Sequence, residues 1–432
     1  MVVGFATTIA VGTVFLSLPL AREGTDSAPF LEALFTSTSA VCVTGLIIVD
    51  TPEYWTTFGE IVILGLIQIG GFGIMTMASL LVMMISRRMG LRSRLTAAAE
   101  TKSLGLGDVR TVVVGVAKIS VTFEITLAAI LTVRLATGHD EPVGHAAYLG
   151  VFHAISAFNN AGFSLYSDSL TAFVTDPWIC LPIAVAVICG GLGVPVMLEL
   201  RRQLRRPRRW SLHTKITLSG TGVLLAGGAV FVTASEWANP DTLGALSVPG
   251  KLLAGFFHAV MPRTAGFNTL DVGAMNDGTL LGTDVLMFIG GGSAGTAGGI
   301  KVTTFFLLFF VIFAEVRGVR AVNVFDRRVG ERAQRQALTV ALLAVAVVVI
   351  PTLVLLEMTD LALDRVLFEV VSAFATVGLS TGITADLPPI GHYMLTVVMF
   401  VGRLGPITLA SALALRQRER LYALPEARPI IG

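Results

Sequence analysis

Charge is scarce in this sequence. Only 14% of its 432 residues are Asp, Glu, Lys or Arg, against roughly 25% in an ordinary soluble domain, and 54% are hydrophobic. That balance excludes a water-soluble globular chain and indicates a membrane protein. Cysteine is scarcer still. Cys42, Cys180 and Cys189 form neither a CxxC pair nor a metal-ligand spacing, which removes a disulfide framework and a zinc site. Among the histidines, His153 and His258 sit near the starts of short apolar segments at different register, so no metal pair is expected. No Ser/His/Asp set and no paired carboxylates emerge, so an intramembrane enzyme lacks its catalytic groups. The ten-residue alternation of a membrane barrel is missing as well.

What is present is long apolar runs. About eight are long enough to cross a hydrocarbon core as helices, a task that takes ~20 residues. They lie near 2–20, 60–86, 111–136, 178–200, 215–234, 282–316, 337–358 and 392–415. Most of the cations cluster on one side of this topology. Arg87, Arg88, Arg92, Arg94, Lys102 and Arg110 follow the second run; Arg201, Arg202, Arg205, Arg206, Arg208, Arg209 and Lys215 follow the fourth. Arg317, Arg320, Arg327, Arg328, Arg332 and Arg335 follow the sixth, and Arg416, Arg418, Arg420 and Arg428 lie in the tail. The positive-inside rule makes that side cytoplasmic, with the basic loops and the C-terminus on the cytoplasmic side of the inner membrane. Orientation and contact with lipid account for these runs, and nucleic-acid binding is not expected.

The outer connections repeat. After each odd-numbered run comes an apolar segment of about 15 residues, too short to cross: FTSTSAVCVTGL, FHAISAFNNAGFS, FFHAVMPRTAGFN and FEVVSAFATVGLS. Aligned on Gly45, Gly162, Gly266 and Gly378, each has a phenylalanine ten residues earlier (Phe35, Phe152, Phe256, Phe368), and Ser39, Ser156 and Ser372 agree at minus six. The chain is therefore four copies of one unit, span, half-length helix, glycine turn, span. The stretch SLPLAREG resembles the end of a signal peptide, but the first unit needs its first span, and a retained helix is expected.

Re-entrant backbone at membrane depth survives only inside protein or beside water, so four such segments belong around a common axis. Glycine at each turn permits positive φ and allows carbonyls to face that axis, where they replace the water shell of a small cation. The half-helix C-termini add partial negative charge.

A second glycine cluster, GGGSAGTAGGIK at 290–301, interrupts the sixth run. Each interior glycine costs a helix ~1 kcal/mol relative to alanine, so the span is expected to break here, against an aqueous cavity. Close helix packing is the alternative use of such glycines. A phosphate loop is not indicated, because Gly-Lys-Ser/Thr is absent. Lys301 and Arg403 are the cations placed deep in spans, where charge usually marks a pathway. Snorkelling toward the cytoplasm is an equal explanation for Lys301.

These residues resemble the Trk/Ktr/HKT superfamily of cation transporters over essentially the whole chain. CVTGL at 42–46, NAGFS at 160–164, PRTAGFNT at 262–269 and TVGLSTG at 376–382 are similar to its four filter sequences. GGSAGTAGGIK at 291–301 is similar to its intramembrane loop and GRLGPIT at 402–408 to a stretch of its last span. The length is closest to the bacterial Ktr membrane subunit (KtrB-like). Met261, before Pro262, departs from the small polar residue of relatives.

The resemblance implies an all-α polytopic membrane protein with eight membrane helices and four pore helices around a pseudo-fourfold pore. The expected units are 1–90, 91–209, 210–330 and 331–432. It implies potassium (K+) as the transported ion, with glycine rather than serine at Gly45 favouring potassium over sodium; a sodium-permeable or sodium-coupled member is the rival. The expected filter comprises Val41, Cys42, Val43, Thr44 and Gly45; Phe158, Asn159, Asn160, Ala161 and Gly162; Pro262, Arg263, Thr264, Ala265 and Gly266; and Phe374, Ala375, Thr376, Val377 and Gly378. Arg263 is expected to brace the filter through a carboxylate or carbonyls rather than line it. The expected gate comprises Gly290, Gly291, Gly292, Ser293, Ala294, Gly295, Thr296, Ala297, Gly298, Gly299, Lys301 and Arg403, with Ser293 and Thr296 holding the closed form and Arg403 beside the loop. No cofactor is expected in this chain. A homodimer is implied, docked on a separate RCK-type regulatory ring (KtrA-like) that binds the nucleotide.

Overall fold

The computed structural model describes residues 2–87, 109–319 and 321–415, and the described chain is mostly helical. Arg88, Arg92, Arg94, Lys102, Arg320, the four tail arginines and the unit boundary expected near residue 90 lie outside the described residues. The elements follow one another in four similar groups. The first holds α1 (Val2–Leu16), α2 (Phe30–Val41), the single turn α3 (Thr51–Tyr54) and α4 (Thr57–Arg87). The second holds α5 (Val109–Gly138), α6 (Val143–Phe158), α7 (Pro177–Leu192) and α8 (Val194–Gln203). The third holds α9 (Leu212–Glu236), α10 (Val248–Val260), α11 (Asp277–Phe288) and α12 (Val302–Val316). After a small hairpin of β1 (Asn323–Val324) and β2 (Arg327–Arg328), which the sequence did not announce, the fourth holds α13 (Glu331–Met358), α14 (Leu363–Ala375) and α15 (Pro389–Leu415).

By length and composition, four helical stretches among the described residues are able to cross a membrane: Thr57–Met77, Val113–Gly138, Leu212–Glu236 and Glu331–Met358. Their outward faces carry exposed apolar side chains such as Val133, Val230, Leu342 and Ile350, as a lipid-facing surface requires. Two of the eight expected runs differ in detail. The run at 2–20 is helical only to Leu16, because Pro19 disfavours helical backbone at the residue before it. The run at 178–200 is not one helix: α7 and α8 meet at Gly193 with a bend of 101°, and Gly193 has a φ of 89°.

The half-length helices α2, α6, α10 and α14 have 12, 16, 13 and 13 residues. At ~1.5 Å per residue they fall short of the ~30 Å hydrocarbon core. They are anchored by deeply buried phenylalanines: Phe35, Phe152, Phe257 and Phe368. In the third group this is Phe257 rather than the expected Phe256, which is only half-buried. The third segment is thus one residue shorter between anchor and glycine, which brings His258 into the position of His153, each directly after the anchor.

Candidate ion filter and intramembrane loop

The four glycine turns share a backbone conformation. Val43, Asn160, Thr264 and Thr376, each two residues before its glycine, have positive φ of 54°, 60°, 74° and 49°. Gly45, Gly162, Gly266 and Gly378 follow at 91°, 71°, 71° and 93°. Asparagine tolerates this region, but a β-branched residue there is a true outlier and costs on the order of 1–3 kcal/mol. Three of the four segments carry such a residue, so the surroundings must hold the backbone.

Those holds are visible. Thr44, Ala161 and Val377 donate their N–H to the carbonyls of Ser39, Ser156 and Ser372, at 2.8, 2.7 and 2.9 Å. The serine hydroxyls accept from Gly45 N–H (3.0 Å) and Gly378 N–H (3.1 Å), while Ser156 donates to the Phe163 carbonyl (2.8 Å). This is the reason for serine at minus six. The shorter third segment has Val260 at that place, and Ala265 N–H donates instead to the Met261 carbonyl at 3.0 Å.

The segments meet in a closed cycle. A Cβ added at Gly45 would strike the Ala161 carbonyl; one at Gly162 would lie 2.6 Å from the Ala265 carbonyl oxygen. One at Gly266 would strike the Val377 carbonyl, and one at Gly378 the Thr44 carbonyl, which returns to the first segment. Each glycine is thus needed twice, for its φ and for the approach of its neighbour. A further set of glycines, not singled out in the sequence, lets the following helices close in from behind. A Cβ at Gly70, Gly190 or Gly402 would meet the carbonyls of Val41, Phe158 and Phe374 respectively. The pairs Gly70-Gly71 and Gly190-Gly191 were the available signal.

Between α11 and α12 the chain leaves the helix at Phe288 and resumes it at Val302. The intervening residues are largely buried. The ends are zipped: Gly290 N–H donates to the Ile300 carbonyl (2.8 Å), and Val302 N–H to that of Gly291 (3.0 Å). Outside contacts come from the second group, where Gly191 and Gly190 carbonyls accept from the N–H groups of Gly292 (2.7 Å) and Thr296 (3.2 Å). Gly193 lies against Ser293, Ala294 and Gly295, and Gly298 against Ala375 and Thr376. Ser293 makes a local hydroxyl pair with Thr303 at 3.1 Å, whereas Thr296 donates its hydroxyl to Asn160 Oδ1 at 2.9 Å.

The cations are tied to carbonyls. Arg263, buried, donates to Ile289 O (2.5 Å) and Gly290 O (2.7 Å), so it joins the third glycine segment to the start of the loop. Buried Arg403 on α15 donates to the Thr296 carbonyl and reaches Thr376 Oγ1 at 3.5 Å. Lys301 donates to the Ala297 carbonyl. Thr296 is therefore bound through three groups, to Gly190, Asn160 and Arg403. No cluster of His, Cys, Asp and Glu suited to a metal occurs among the described residues.

The sequence profile of the TrkH family, described as cation transport proteins, matches residues 4–420. Ktr system potassium uptake protein B of Bacillus subtilis is 40% identical over 98% of this chain and 94% of its own length. The protein of the same name from Vibrio alginolyticus is 38% identical over 100% and 94%, and the potassium/sodium uptake protein NtpJ of Enterococcus hirae 33% over 99% and 96%. The crystal structure of the potassium transporter TrkH from Vibrio parahaemolyticus superposes with a TM-score of 0.70 at 20% identity, covering 96% of this chain and 86% of that one; it shares the fold.

Proposed function

The chain belongs to the TrkH family of cation transport proteins, and from that premise we propose that it is a potassium uptake pathway of the cytoplasmic membrane. Potassium sheds water onto carbonyls of residues 41–45, 158–162, 262–266 and 374–378, arranged as four equivalent walls of a pseudo-fourfold pore. The partially negative C-terminal ends of α2, α6, α10 and α14 favour a cation there. Entry is driven by the membrane potential, worth ~2.3 kcal/mol per charge per 100 mV. The observation that carries this reading is the closed cycle of contacts among Gly45, Gly162, Gly266 and Gly378.

Residues 290–301 act as the gate on the cytoplasmic side of the filter, held shut at Thr296 and guarded by the charge of Arg403. Its hydrogen bonds to units two, three and four support that role. The relatives are named as protein B of a system, which supports a separate regulatory partner; a homodimer seated on a nucleotide-binding ring through its basic face completes the reading. Sodium is the competing cargo, favoured by the name of the Enterococcus relative alone.

Both readings meet one experiment: potassium flux into proteoliposomes, with sodium and rubidium as competitors, for the wild type and Gly162→Ser. The expected outcome is potassium-selective uptake whose discrimination falls at least about tenfold, or 1.4 kcal/mol, in the variant. Selective uptake indifferent to Gly162 would sink the pore reading. Equal competition by sodium in the wild type would favour the sodium reading.

A further inference from the structure

Glu124 lies midway along α5, a helix otherwise apolar enough to span a membrane, and it is 7% exposed. A carboxylate at that depth is expensive and usually functional, yet nothing derived so far uses it. Its partners lead to the filter. Gln68 on α4 donates Nε2 to both Glu124 oxygens at 3.1 and 3.3 Å. Asn159 donates Nδ2 to Gln68 Oε1 at 2.8 Å and, more distantly, to Glu124 Oε1 at 3.4 Å. Asn159 is fully buried, and Gly71 leaves the space its amide occupies. Beside the network Phe123 stacks on Phe158 with ring centroids 5.4 Å apart.

We propose that Glu124 is a positioning residue for the second filter segment, acting through Gln68 and Asn159, and that it contributes to discrimination between potassium and sodium. The proposal rests on the potassium reading of the same site. Asn159 immediately precedes Asn160, whose backbone holds a φ of 60° and whose side chain accepts from Thr296 of the loop. Asparagine tolerates that conformation, so what its surroundings must fix is its placement rather than its φ. Asn159 is the neighbour that does so, and the Gln68–Glu124 pair fixes its amide. The hydrogen bonds of this buried network converge on Asn159 Nδ2, which also donates to the Ile155 carbonyl at 3.0 Å, while Asn159 Oδ1 has no partner among the described residues. The amide is thus held through its nitrogen, whereas a leucine at 124 would fill space and hold nothing. The corresponding place in the third segment, Arg263, is likewise pinned, to the carbonyls of Ile289 and Gly290.

The test uses the full-length chain in proteoliposomes, reading the potassium-to-sodium flux ratio and half-saturation by potassium, with thermal melting as the check on folding. Glu124→Ala and Asn159→Ala should each lower the flux ratio about tenfold, and the double variant should be no worse than the poorer single, as coupled residues require. Glu124→Gln, which keeps one acceptor oxygen and nearly the same volume, should fall between, about threefold down. If the Ala variants do not fold, the Gln variant alone decides. Equal loss of potassium and sodium flux, an unchanged ratio in a folded variant, or additive losses would overturn the proposal. A wild type without potassium preference would overturn the parent reading as well, whereas a selective wild type with unchanged variants removes only this inference.

Discussion

The four glycine segments and the four helices that follow them come from the same repeated unit, yet only the segments stay alike. Each segment carries left-handed backbone at the same two places and abuts the next in a closed cycle. Beneath them the helices diverge. α4 and α15 run unbroken, α7 and α8 turn through 101° at Gly193, and α11 and α12 are parted by residues 290–301. The two broken members meet, since the Gly190 and Gly191 carbonyls receive loop N–H groups. Repetition persists where one chemical surface must be offered from four sides. On the proposed reading it lapses where a single insertion suffices to obstruct a narrow path, and four insertions would compete for the same space.

The comparison breaks most visibly if the asymmetric part is removed. Deleting residues 291–299 takes away the hydrogen bonds made by Gly292 and Thr296 N–H, the Thr296 side chain and the Arg403 anchor. Net values of ~1 kcal/mol for a neutral bond and more for a charged one make a tenfold rise in conduction, about 1.4 kcal/mol of barrier, a low expectation. Potassium flux should rise while the potassium-to-sodium ratio holds. Unchanged or lost flux in a folded deletion, or a collapsed ratio, would show that loop and filter are not separate devices.

The repeated part was legible in the sequence because glycine is the residue that left-handed backbone and close approach both demand. Its strained companions were not, since Val43, Thr264 and Thr376 are strand-like residues whose local preference opposes the conformation they adopt. The one-residue slip from Phe256 to Phe257 was masked by the adjacent phenylalanines. Gly193 was hidden because GGLGVP keeps the hydropathy of a span while supplying its break. The partners of Arg263 were legible only as a class, carbonyls or a carboxylate, because Ile289 and Gly290 lie 26 and 27 residues later, at the start of the loop. Glu124 gave no periodic signal at all, its partners Gln68 and Asn159 being 56 and 35 residues away.

A gentler disturbance falls on the junction between the two broken members. A Cβ at Gly193 would lie 2.8 Å from the Ser293 carbonyl oxygen and 2.9 Å from Gly295 N, on backbone already at a φ of 89°. Gly193→Ala therefore costs on the order of 1–3 kcal/mol locally and pushes the loop from its seat. Basal flux should rise about threefold, less than in the deletion, with the ion ratio kept. A fall in selectivity at normal flux would place the seat of the loop within the filter's own support and erase the distinction.

The smallest effect belongs to a scaffold contact outside both regions. Asp176 caps α7 through Trp178 N–H (2.9 Å) and lies 2.7 Å from Arg134 Nε and 3.0 Å from His139 Nε2. Burial pushes its carboxyl up, but hydrogen bonds from His139, Arg134 and Trp178 and the Arg134 charge outweigh that and hold it below the usual carboxylate range. A depressed folded value means that the stabilisation is complete above the unfolded pKa of about 3.9 and disappears as pH falls through the folded value. Asp176→Asn should therefore lower stability by about 1 kcal/mol at pH 7, a figure kept small because Arg134 is partly exposed. In melting curves the gap from wild type should persist to about pH 4 and shrink below it, while flux and selectivity stay unchanged at pH 7. A variant that melted normally but leaked sodium would mean that the second filter segment takes its shape from this outer contact as well as from the helices around it.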